Sequence, residues 1–72
     1  MMKLNKPRTA TTMFVRDLNT GDRFVLPGQQ TVYVVDSRYN GETGTRVTYR
    51  VEGTPEVNVF TKRQMSVVYR LD

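Results

Sequence analysis

The sequence predicts an all-β domain: a small five-stranded barrel with one short helical turn before its last strand. Three observations predict it. Gly-, Pro- and Asn-containing turn signals recur at roughly 8–12-residue intervals, as in sandwiches and barrels. Thr45 to Val51 alternates cleanly, with Val47, Tyr49 and Val51 set against Arg46, Thr48 and Arg50. No stretch carries apolar residues at the 3.6-residue period of a helix. Strands this short and this few cannot fill two separate sheets. A single bent sheet closing on itself buries the most apolar surface and removes exposed edges.

The totals bound the rest. The chain has 72 residues, enough for one domain with a small core. It has no cysteine and no histidine, so no disulfide, thiolate or imidazole metal site can staple it. Lys and Arg number 11 against 7 Asp and Glu, a formal charge of +4. That balance fits contact with a polyanion, and equally the charge that keeps a small protein in solution. No apolar run approaches the ~20 residues of a membrane helix. Residues 1–8 are charged without an apolar stretch, so no signal peptide is expected. The expected location is the cytoplasm.

Residues 1–12 read as a flexible basic arm. Lys3, Lys6 and Arg8 carry its charge, and Pro7 breaks any helix. Residues 13–72 then form the barrel domain. Met13-Phe14-Val15 is the first apolar run and reads as a short strand, and Leu18 is placed to plug the core from below. Asn19-Thr20-Gly21-Asp22 is a turn in which glycine supplies positive φ. Arg23 to Leu26 is a strand with Phe24 and Leu26 on one face. Pro27-Gly28 ends it in a type II turn. Thr31 to Arg38 is apolar on both faces and is expected to be central, with Phe24, Val32 and Val34 filling the barrel. Residues 39–44 form a hairpin loop around Asn40-Gly41.

After Thr45 to Val51, residues 52–56 turn the chain. Val57 to Phe60 is a short strand with Val57 and Val59 expected inward and Phe60 outward. Thr61 to Met65 is assigned one helical turn. Ser66 to Leu71 closes the fold, with Val67, Tyr69 and Leu71 inward and Arg70 outward.

The opening Asp17-Leu18-Asn19-Thr20-Gly21-Asp22-Arg23-Phe24, followed by Tyr33-Val34-Val35, resembles that of small SH3-like barrels. The loops at 27–30 and 39–44 and the helical turn at 61–65 follow in matching order. The resemblance spans about residues 13–71 and implies a binding module, since barrels of this class bind DNA, RNA, peptides or proteins. The chain has no Trp and no acidic row, which departs from the peptide-binding members. Its length, basic charge and Met1-Met2 opening are also similar in style to small bacteriophage-encoded accessory proteins. For such a protein the expected location is the host cytoplasm.

No catalytic constellation is legible. The acids sit mostly at turns, where they satisfy local backbone N–H groups, and Gly41-Glu42-Thr43-Gly44 lacks the lysine and helix of a phosphate loop. No catalytic residue, metal or cofactor is expected. The cations are more informative. Arg46 and Arg50 share one strand face, Lys62 and Arg63 sit on the helical turn, and Arg70 points outward. Tyr39 and Phe60 are candidate stacking groups. With Lys3, Lys6 and Arg8 of the arm, these residues define a candidate nucleic-acid surface, because basic side chains interleaved with aromatics suit single strands. Ordinary solvent-facing arginines produce the same pattern. The sequence therefore predicts a non-catalytic binding module that contacts DNA or RNA. The alternatives are a phage accessory protein that binds and modulates a host protein, and a self-associating structural subunit.

Overall fold

In the computed structural model, residues 10–71 are described. They form six antiparallel strands: β1 (Ala10–Phe14), β2 (Arg23–Val25), β3 (Tyr33–Gly41), β4 (Gly44–Val51), β5 (Val57–Lys62) and β6 (Val67–Leu71). The strands make one sheet in the order β1-β6-β2-β3-β4-β5. The all-β expectation therefore holds, with two corrections. There are six strands rather than five, and the sheet is open, because β1 and β5 end it without pairing to each other. β1 overlaps the short strand expected at residues 13–15 but starts earlier, taking in Ala10 to Thr12, which the sequence places in the arm. Those residues pair with Leu71, Arg70 and Tyr69. Lys3, Lys6 and Arg8 lie outside the described residues.

The turns follow from residue chemistry. The Gln29 N–H donates to the Leu26 carbonyl at 3.0 Å across Pro27-Gly28, and Gly28 has φ +80°, which is the expected type II turn. The helical turn expected at 61–65 is absent. β5 runs on to Lys62, and a tight turn follows in which the Ser66 N–H donates to the Arg63 carbonyl at 2.9 Å. The helical turn of the described residues is a 3-10 turn at Val15–Asp17. It stacks Val15 and Leu18, three residues apart, on one side, and both are fully buried. Its backbone is tied to the β5–β6 turn by Val15 N–H to the Ser66 carbonyl (2.8 Å) and Arg16 N–H to the Gln64 carbonyl (3.2 Å).

The sheet is strongly bent. Phe24 on β2 and Phe60 on β5 are three strand positions apart, about 14 Å in a flat sheet, yet their ring centroids are 6.2 Å apart. Phe24, Tyr33, Tyr49 and Phe60 form a closed circuit of rings on the concave face, with the other centroid distances at 5.0–5.5 Å. Val15, Leu18, Val35, Val47 and Val68 complete the core.

Three registers differ from expectation. On β5, Phe60 faces the core opposite Val47, so Val57 and Val59 face outward. Burying one aromatic ring removes more apolar surface from water than burying either valine. On β6, Val68 is buried opposite Met13 and half-buried Arg70 lies opposite Phe24, so Arg70 does not point outward. On β3, Val35 rather than Val34 belongs to the core cluster, and half-buried Val32 lies outside it. Val34 is nevertheless buried on the opposite register, as is Val25, which lies opposite Tyr69, so the centre of the sheet is covered on both sides.

Candidate nucleic-acid interface

The exposed side of β3, β4 and β5 is built by strand alternation and one irregularity. Opposed residues of an antiparallel pair share a face. On β4 the core side carries Thr45, Val47, Tyr49 and Val51, which leaves Arg46, Thr48 and Arg50 on the other. Their β5 partners are Thr61, Val59 and Val57.

On β3, alternation alone would send Tyr39 inward, because Tyr33 and Val35 point to the core. A β-bulge between Val35 and Ser37 adds one unpaired residue, Asp36, and reverses the alternation. Arg38 and Asn40 thereby turn toward the core side. The Arg38 Nε donates to the Leu18 carbonyl at 2.7 Å, and Asn40 Nδ2 donates to the Arg16 carbonyl at 3.3 Å. Both bonds anchor the hairpin to the 3-10 turn. Tyr39 is turned outward, opposite Arg46. Tyr39 is 61% exposed, and the Arg46 guanidinium carbon lies 5.5 Å from its ring centroid.

The hairpin supports that ring. Its loop is only Glu42 and Thr43, with Gly41 paired to Gly44. Neither loop residue has positive φ, so this is not the Asn-Gly turn expected at residues 40–41. Gly41 lies under the tyrosine: a Cβ there would stand 3.0 Å from the ring. Gly44 has φ +139°, and a Cβ on it would meet the Lys62 carbonyl oxygen of β5. Two small residues thus let the hairpin end lie flat against its neighbour. Tyr39, Gly41, Thr43, Gly44, Arg46 and Thr61 line a shallow hollow there.

Of the residues expected in the basic surface, Arg46, Arg50 and Tyr39 share this face. Arg50 Nε lies 3.3 Å from Asp36 Oδ1, so the bulge carboxylate partly offsets its charge. Lys62 belongs to the other register, opposite Thr45, with its ammonium 5.5 Å from the Phe60 ring centroid. Phe60 is half-buried in the core rather than presented for stacking. Arg63 is exposed in the β5–β6 turn, and Arg70 is on the core side of β6. Sequence reasoning missed Val57 and Val59 as surface residues. They are 53% and 56% exposed beside the arginines.

No group of three or more acidic, His or Cys side chains able to hold a metal ion occurs among the described residues. No helix there is long and apolar enough to cross a membrane. Compared with protein-family models, curated proteins and solved structures, the chain matches none.

Proposed function

We propose that the protein is a non-catalytic binding module that takes single-stranded nucleic acid on the outer face of β3, β4 and β5. The observation that carries this reading is the pairing of an outward, exposed Tyr39 with Arg46, four residues along β4 from Arg50 on the same face. A base can stack on the tyrosine ring while the arginines meet neighbouring phosphates. Thr48, Thr61 and Ser37 on the same face offer hydroxyls to sugar and phosphate oxygens. An exposed aromatic favours an unpaired strand, whose bases are free to stack, over a duplex, whose bases are already stacked. The basic arm, with Lys3, Lys6 and Arg8, would add backbone contacts.

We read β2 to β6 as an SH3-like arrangement extended by β1. The support is the order β6-β2-β3-β4-β5 and the bend of the sheet.

Fluorescence anisotropy with labelled single-stranded DNA and RNA, repeated across a salt series, tests the function. Binding should weaken steeply with salt. Arg46→Ala and Arg50→Ala should each reduce the salt slope by about 0.7. Tyr39→Ala should weaken binding by roughly 5- to 100-fold and leave the slope unchanged. Undetectable binding to both polymers at low salt would overturn the proposal. In that case a pull-down with tagged protein from nuclease-treated bacterial lysate addresses the accessory-protein alternative.

A further inference from the structure

The outer edge of β5 has no partner among the described residues. Such an edge presents a row of unpaired N–H and C=O groups and is normally blunted by proline, a bulge or inward-pointing charge. β5 reads Val57-Asn58-Val59-Phe60-Thr61-Lys62. It contains no proline and pairs with β4 in unbroken register, and its one charge, Lys62 on the core-side register, stands only at its far end.

We propose that this edge pairs antiparallel with β5 of a second copy, about a two-fold axis through Val59 normal to the sheet. The strand's own chemistry selects that occupant and that register. An axis through Val59 puts Val59 opposite the other copy's Val59, and Val57 opposite its Thr61. The exposed face then gains an unbroken row of β-branched cross-strand pairs, the kind that stabilises a sheet. On the other face Asn58 meets Phe60. One step beyond, exposed Glu56 stands opposite Lys62, and symmetry makes that pair twice. Moving the axis to Asn58 or Phe60 keeps the faces aligned but loses both Glu–Lys pairs. It also sets Val57 against Val59 or Arg63 without a matching charge. The strand is therefore complementary to itself in one register, in charge and in side-chain shape. The pairing also joins the two faces that carry Tyr39, Arg46 and Arg50 into one surface, although it does not depend on their binding anything.

Analytical ultracentrifugation of the full chain over a concentration series, after nuclease treatment, tests this. A reversible monomer–dimer equilibrium is expected. Glu56→Lys and Lys62→Glu should each raise the dimer dissociation constant about tenfold or more, because two attractive pairs become repulsive. The double swap, E56K with K62E, should restore it. Val59→Lys places two ammonium groups at the axis and should give a monomer with an unchanged circular dichroism spectrum. A wild-type chain that stays monomeric up to millimolar concentration overturns the proposal. A dimer indifferent to both single charge reversals overturns it as well. Because nucleic acid is absent, neither result bears on the binding proposal.

Discussion

Tyr39 owes its position to one residue, Asp36. As the unpaired residue of the bulge, Asp36 reverses the alternation of β3 and places its own carboxylate beside Arg50. Removing that charge while keeping the shape frees the arginine for phosphate. Asp36→Asn should therefore strengthen binding to single-stranded nucleic acid, read as a lower Kd at low salt, with an effect that shrinks as salt screens it. The glycines separate in the same way. Gly44 and Gly21 both have positive φ, but a Cβ on Gly21 meets open space while one on Gly44 meets the backbone of β5. Gly21→Ala should cost about 1–2 kcal/mol, the strain of an L-residue in that conformation. Gly44→Ala should cost more than Gly21→Ala, because β5 must also move. Urea denaturation of the two variants gives the comparison. The need for glycine in the turns was legible in the sequence. The difference between the two positions was not, because it depends on a strand that arrives some twenty residues later.

The register of β5 carries the clearest consequence at the level of the element. Alternation in Val57-Asn58-Val59-Phe60 is compatible with either face inward. Counting valines favours the wrong one, and a shift of one residue exchanges every side chain between faces. The observed register brings Phe60 against Phe24 and Tyr49. Phe60→Ala should then cost up to about 3 kcal/mol, the low end for a core aromatic, because the ring is half-buried. Val59→Ala, measured at concentrations where the chain is monomeric, should stay within about 0.5 kcal/mol, as surface changes usually do. Chemical denaturation decides between the registers, and the opposite order of effects would refute the one described. β6 departs from the register its pattern suggests for a related reason. Val67, Tyr69 and Leu71 outnumber Val68 on paper, but the tight turn at Arg63–Ser66, in place of a helical turn, settles which set meets Met13 and Phe24. β4 was legible because arginine and threonine occupy every alternate position and leave one possible core face.

For the molecule as a whole, a 72-residue chain with a core of this size sits close to the limit of independent stability. The Arg23–Glu52 ion pair, at 2.7 Å with both side chains substantially exposed, adds little to it. Glu52→Gln should change unfolding free energy by no more than about 1 kcal/mol, and high salt should mask the difference in thermal melts. Stability rests instead on the bend that closes the ring circuit. Excess positive charge is a property of the whole chain, and it was legible from composition. Which cations act together was not. Arg46 and Arg50 share a face because they lie four residues, an even number, apart on one strand. Lys62 is separated from them by facing the other side, and Arg70 by sitting toward the core.

Strand content, the positions of most turns, the central place of residues 33–35 and the paired arginines of β4 follow from local rules, since turn chemistry and period-two alternation act within a few residues. The number of strands, the inward faces of β5 and β6, the helical turn at Val15–Asp17 and the outward swing of Tyr39 belong to the folded sheet. Each depends on pairing or packing between residues far apart in the chain. There the burial of Phe60 and the extra residue at Asp36 outweigh the local pattern, because a single-residue change in register moves an entire strand face between core and solvent.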